Sequence, residues 1–200
     1  MIVISAVFFA LRIGHKLAGW RASQFGLDDF FIVLTFLILL PNTICVAIKL
    51  LPNGLGKDIW TVPFDHITEY LRFFYWGEIT YLATLPVLKM SFLFFYKNIF
   101  SDKKIQRLIV GTIIFNAVWG ATIVVVAVFA CTPISYFWHQ WDHEHQGHCI
   151  SISAMNWANA SLSIALDLWM LAIPLSQLIQ LRLSPIKKFG VILMFCLGAL

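Results

Sequence analysis

Charge is what this sequence has least of. Only 12% of its 200 residues are Asp, Glu, Lys or Arg, against 60% hydrophobic, and the mean hydropathy is +0.83. Soluble domains carry about 25% charged residues, so a water-soluble globule is excluded and a polytopic membrane protein is implied. The stretch from Cys131 to Ser153 holds no Lys or Arg at all. Internal repeats, low-complexity tracts and a soluble domain are missing too. Met1 runs straight into apolar residues with neither a basic n-region nor a cleavage site, so no signal peptide is expected. The net charge of +4 does not point to nucleic acid, because the basic residues sit in short loops rather than in a patch.

What the chain does contain is organised around Trp76–Phe100, WGEITYLATLPVLKMSFLFFYKNIF, an apolar stretch of about 25 residues that is long enough to cross a bilayer. Lys89 lies near its middle. A charge at that depth costs at least about 2.5–3.5 kcal/mol, so it should face protein or a water-filled cavity unless it snorkels to an interface. At about 100° per residue, Glu78, Lys89 and Tyr96 fall close to one line, with Leu82 among them. That line defines an inward face.

Three more complete spans follow from length and hydropathy: Phe30–Leu51, with a Pro41-Asn42 step inside it, Leu108–Ala130, and Ala154–Leu181. Two incomplete ones flank them, Met1–Leu11 and Phe189–Leu200, so the chain is expected to be cut within a span at its C-terminus and shortened at its N-terminus. Pro52-Asn53-Gly54-Leu55-Gly56 breaks the chain, and an amphipathic connector is expected from Lys57 to Tyr75, with Trp60, Tyr70, Tyr75 and Trp76 at headgroup level. Asn116 is the one strongly polar residue of its span. In Ala154–Leu181, Ala154, Ala158, Ser161, Ala165 and Ala172 form a small-residue strip suited to close helix packing. Asn156, Asn159, Ser163, Asp167, Pro174 and Gln177 lie roughly opposite, leaving Leu162, Trp169 and Ile173 for lipid. Basic residues gather at Arg12, Lys16 and Arg21, at Lys97, Lys103, Lys104 and Arg107, and at Arg182, Lys187 and Lys188. The positive-inside rule puts those connectors in the cytoplasm and the N-terminus outside.

With the spans placed, a series of motifs comes into register. Asp28-Asp29 opens one helix, and Gly54-Leu55-Gly56-Lys57-Asp58-Ile59-Trp60 follows it. Leu88-Lys89-Met90-Ser91 precedes Phe94-Phe95-Tyr96-Lys97-Asn98-Ile99-Phe100. Cys131-Thr132-Pro133-Ile134 comes next with Trp138 and Cys149-Ile150, then Asp167 with Ile173-Pro174, then Lys188 with Phe195-Cys196-Leu197-Gly198. In this series the chain resembles the fungal rhodopsin-domain family, the Pth-type GPCR-like integral membrane proteins, over essentially its whole length. The resemblance implies an all-α bundle of seven transmembrane helices, here with the first shortened and part of the sixth and all of the seventh missing, so that residues 1–200 form one incomplete domain. It also implies a sensor-like role at the fungal cell surface, or association with secondary-metabolite gene clusters in some members. The cysteine-rich extracellular domain that some members carry is not read in this sequence.

The chemistry expected is that of a binding protein rather than an enzyme, since no nucleophile or acid pair shares one depth. No cofactor is expected. Retinal would need a Schiff-base lysine on the last helix, and all six histidines fall in connectors where they cannot ligate a transmembrane haem. His139, His143, His145 and His148 are weak metal candidates, because imidazoles cluster there without a standard zinc spacing. They are equally suited to sense pH.

A ligand cavity is expected among Glu78, Lys89, Tyr96, Asn159, Ser163 and Asp167, beneath an extracellular loop. Lys89 and Asp167 have opposite signs and depths that differ by about 4–5 Å, so a contact between them is expected. The alternative is that each finds separate carbonyl or hydroxyl partners. The functional expectation is a receptor or sensor in the plasma membrane with an unknown extracellular ligand and a cytoplasmic signalling partner at its basic loops. A small-molecule or proton-coupled transporter using Lys89 and Asp167 is the alternative. Cys131 and Cys149 both lie in the connector placed outside, where oxidation closes a short loop worth about 3 kcal/mol. Cys45 and Cys196 should stay reduced. Non-reducing peptide mapping should recover Cys131 and Cys149 in one linked fragment; free thiols at both in correctly inserted protein would exclude the bridge.

Overall fold

The computed structural model describes residues 26–56, 58, 63–142 and 145–180. The expectations for Met1–Leu11 and Phe189–Leu200, and for Trp60, His143 and Cys196, lie outside these residues. Among the described residues, four helices are long and apolar enough to cross a membrane. The first, α1, spans Leu27–Cys45 and continues as a single π turn over Val46–Leu50. Then come α2 at Phe64–Ile99 and α3 at Lys103–Val128. A cap of β1 (Cys131–Thr132), the one-turn α4 (Tyr136–His139) and β2 (His148–Cys149) leads into α5 at Ile152–Gln180.

The main departure from expectation is the start of α2. The helix begins at Phe64 rather than Trp76, so the supposed connector is its first three turns. At 1.5 Å per residue the 36-residue helix is about 54 Å long, well beyond a hydrocarbon core of about 30 Å. Neighbours fix the added turns. Nδ1 of His66 lies 2.7 Å from Oδ1 of buried Asn53, Glu69 pairs with Lys49 at 3.5 Å, and Trp141 Nε1 donates to Thr68 Oγ1 at 3.0 Å. Gly54 and Gly56, at φ 114° and 81°, turn the chain between α1 and α2 in the left-handed region that favours glycine.

Tyr75 corrects a second expectation. It is buried rather than at headgroup level, with its hydroxyl donating to the Val128 carbonyl at 2.8 Å and its ring 4.9 Å from Phe137. A third concerns α5. Ile173, expected against lipid, is buried with Leu93, Tyr96, Ile105, Ile109 and Met170, whereas the strip Ala154, Ala158, Ser161, Ala165 and Ala172 is exposed among the described residues.

Two seven-residue stripes on α2 assemble the bundle. Gly77, Thr84, Ser91 and Asn98 face α1. Ser91 Oγ donates to the Asp28 carbonyl at 2.9 Å, Asn98 Nδ2 to Asp28 Oδ1 at 3.3 Å, and Phe31 stacks on Phe94 at 5.1 Å. Tyr75, Leu82, Lys89 and Tyr96, all buried, make the second stripe, facing α3 and α5. The turn into α3 is closed by Asp102, whose Oδ1 accepts from Lys104 N at 2.8 Å. Gln106 caps the end of α2 by donating to the Lys97 and Phe100 carbonyls. That cap starts α3 at Lys103, ahead of the apolar run at Leu108.

Helices α2 and α3 meet closely at Pro86. Asn116 Nδ2 donates to the Pro86 carbonyl at 2.9 Å, and a Cβ at Gly120 would sit 2.6 Å from the proline ring. Gly120→Ala should therefore force α2 and α3 apart at a cost of about 1–3 kcal/mol. Gly111→Ala, where a Cβ meets nothing within 4 Å, should be neutral or mildly stabilising. Thermal unfolding of the two variants in detergent checks the contrast.

Candidate functional site

Lys89, ten residues before the end of α2, is 7% exposed. Its ammonium donates to the Ser163 carbonyl at 2.8 Å and to Ser163 Oγ at 2.8 Å, and pairs with Asp167 Oδ1 at 2.8 Å. Three oxygens from one turn of α5 thus match the three protons of the amine. Both expected arrangements coexist, the ion pair and the carbonyl and hydroxyl contacts. The pair is asymmetric, with the lysine side chain 9% exposed and the aspartate 52%.

Beside it opens a narrow cleft with free space of about 10 Å³, room for about one water molecule, lined by Pro86, Lys89, Asn116, Trp119, Asn159 and Ser163, with Leu82, Leu85 and Leu166 as its apolar walls. Asn159 accepts from Trp119 Nε1 at 3.3 Å, which ties α5 to α3 at this level. A second tie, Trp169 Nε1 to Thr112 Oγ1 at 3.1 Å, lies further along. Among the described residues no buried side-chain nitrogen or oxygen lacks a hydrogen-bond partner.

The expected cavity residues separate into three levels. Lys89, Asn159, Ser163 and Asp167 come together. Glu78 does not join them: it accepts from Asn156 Nδ2 at 2.8 Å and lines a separate, equally narrow cleft of about 10 Å³ with Tyr75, Phe137 and Met155. Between the two clefts lies an apolar layer of Leu82, Ile123 and Ala127 with Ile79, Trp119 and Met155. Tyr96 sits in the apolar cluster on the other side of Lys89. Lying on one line of a helix did not bring these residues together, since 11 and 7 residues correspond to about 16 and 10 Å along the axis.

Over the Glu78 cleft lies the cap. Cys131 and Cys149 are disulfide-bonded and face each other in the β1–β2 pair. Cys45 is a free thiol. Of the histidines, His139 and His145 stack at 4.3 Å beside Asp142, while His148 sits apart in β2.

The sequence reading did not foresee the Pro86–Asn116–Gly120 contact, and it placed Asp28 and Asp29 at the opening of a helix without foreseeing their burial, 5% and 4% exposed. For the first, a signal was available in a lone Asn and a Gly one turn apart in an apolar span. For the second, it was two acids with Gly26 before them, whose amide Asp29 Oδ2 accepts at 3.2 Å.

Four membrane-spanning helices among the described residues, two of them joined through Lys89 and Asp167, define a polytopic membrane helix bundle. Residues 11–200 match the fungal rhodopsin domain, and the chain belongs to that family. It is similar to a SAT4 family membrane protein of Emericella nidulans, 25% identical over 156 residues that cover 76% of this chain and 40% of that protein. The chain thus spans well under two thirds of that relative's length. No solved structure matches it.

A double-mutant cycle measures the coupling at the charge centre. Lys89→Met and Asp167→Asn should each destabilise the folded protein by about 2 kcal/mol, below the ~3–5 kcal/mol of a fully buried pair because Asp167 is half exposed. The double variant should recover part of the loss. Strictly additive losses in detergent unfolding would show that the two side chains act independently.

Proposed function

We propose that this chain is the transmembrane part of a GPCR-like receptor or sensor in the fungal plasma membrane, not an enzyme, with its N-terminus and disulfide cap outside. The observation that carries the reading is the position of the Lys89–Asp167 pair between two apolar layers. Leu82, Ile123 and Ala127 lie on the cap side, and Leu93, Ile109, Met170 and Ile173 on the other. A charge pair packed between apolar layers on both sides suits a two-state switch, in which the pair is made in one packing and broken in the other. The exposed small-residue strip of α5 and the half-exposed Asp167 favour cover by further helices, in keeping with a seven-helix bundle. An extracellular ligand would enter beneath the cap toward Glu78 and Asn156, and the basic turn around Lys103, Lys104 and Arg107 would face a cytoplasmic partner.

Transport is the alternative, favoured by the exposure of Asp167. Proteoliposomes of the full-length protein separate the two. A receptor should give no sustained current under a pH gradient, whereas a current that is abolished by Lys89→Met would establish a proton-coupled carrier. Orientation is checked with an impermeant maleimide on intact cells. Gln146→Cys should label, and Lys104→Cys should label only after permeabilisation.

A further inference from the structure

We infer that the cap between α3 and α5 holds a binding site for a borderline divalent metal ion of the Zn²⁺ type, built from His139, Asp142 and His145. His139 ends α4, Asp142 lies in the turn after it, and His145 precedes β2. The Nδ1 atoms of both histidines converge on one carboxylate oxygen, Asp142 Oδ2, at 3.6 Å and 3.0 Å. One ligand atom from each of the three residues lies within 4.8 Å of the others. Two imidazoles and a carboxylate are a donor set that zinc accepts, with metal–ligand distances of about 2.0–2.2 Å. The donors need close by only about 1 Å around an ion of that size, and the remaining positions are left to water.

The site is held in place before any ion arrives. Phe137 packs under Tyr75, Trp141 is hydrogen-bonded to Thr68, and the Cys131–Cys149 bridge closes the base of the loop. Glycine is required at position 147, where a Cβ would overlap the Tyr136 ring, so the returning chain can pass close to α4. Side-chain exposures of 31%, 18% and 54% for His139, Asp142 and His145 leave a half-buried set that an ion can reach. The electrostatics agree. Cys131–Ser153 contains no Lys or Arg, and the Arg72 guanidinium is spent over the Trp138 ring at 5.9 Å. A histidine that ligates through Nδ1 carries no proton on that atom, so a neutral ring binds as its Nε2–H tautomer, and a doubly protonated ring gives up one proton to solvent. His148, by contrast, is not among the donors.

This inference stands whether the bundle signals or transports. Calorimetric titration of the tag-free, full-length protein in detergent with ZnCl₂ should show one saturable site per chain. His139→Ala and His145→Ala should each weaken it by at least about tenfold, and His148→Ala should leave it unchanged. Zn²⁺ should raise the unfolding temperature of the parent protein but not of Asp142→Asn, a variant that keeps the shape of the turn. Absorption-edge spectroscopy of the loaded protein should resolve two imidazole nitrogens and carboxylate oxygen. Absence of saturable binding, or binding indifferent to His139 and His145, would overturn the site.

Discussion

An ammonium group in the middle of an apolar helix must be neutralised locally, because neither lipid nor water is there to do it. Lys89 meets that demand with three oxygens from one turn of α5. The requirement fixes more than the lysine. It sets the register of α2 against α5, which run parallel, and places Ser163 and Asp167 on the side of α5 that faces the bundle. Apolar layers then build outward in both directions, toward the cap and toward the basic turn. Trp119–Asn159, Trp169–Thr112 and Glu78–Asn156 add further polar ties between α5 and the rest of the bundle.

The features legible in the sequence were those written in length and charge. Each complete span follows from an apolar run long enough to cross a bilayer, and each found its helix. Lys89 and Asp167 announced themselves as opposite charges at similar depth, and the two cysteines as a pair in one short connector. The first turns of α2 were not legible in this way. Phe64–Tyr75 is polar enough to read as a connector, and its helix depends on partners distant in sequence, Asn53, Lys49 and Trp141. Tyr75 was ambiguous in principle, since an aromatic ring at the edge of an apolar run suits a headgroup and a core equally well. Helical angle alone grouped Glu78 and Tyr96 with Lys89, but axial distance separates them. The Pro86–Gly120 contact depends on how two helices are set against each other, which no single-helix pattern encodes.

Proline and glycine serve opposite ends of one purpose here. Pro86 offers a flat ring and a carbonyl that Asn116 takes up, while Gly120 removes the atom that would hold α3 away. Close approach at that level also lets Tyr75 reach the Val128 carbonyl near the cap and lets Leu93 meet Ile109 on the other side. The helix pair is thus pinned in its middle by backbone proximity and at its ends by side chains. Polar contacts mark each level, from Glu78–Asn156 to Trp119–Asn159 to Lys89–Asp167, and give the apolar surfaces a single registration.

The unbroken length of α2 has a mechanical corollary. A rod about 54 Å long meets Gly120 of α3 at Pro86, roughly 33 Å from its Phe64 end and 20 Å from Ile99. With that contact as a fulcrum, a rotation of about 5° would carry the Phe64 end by about 3 Å and the other end by somewhat under 2 Å in the opposite direction. Lys89 sits less than one turn from the pivot, where displacement is least. The polar contact at Lys89 is therefore the part of α2 that such a rotation disturbs least, while the side-chain contacts that pin its two ends would have to yield in opposite senses and by unequal amounts.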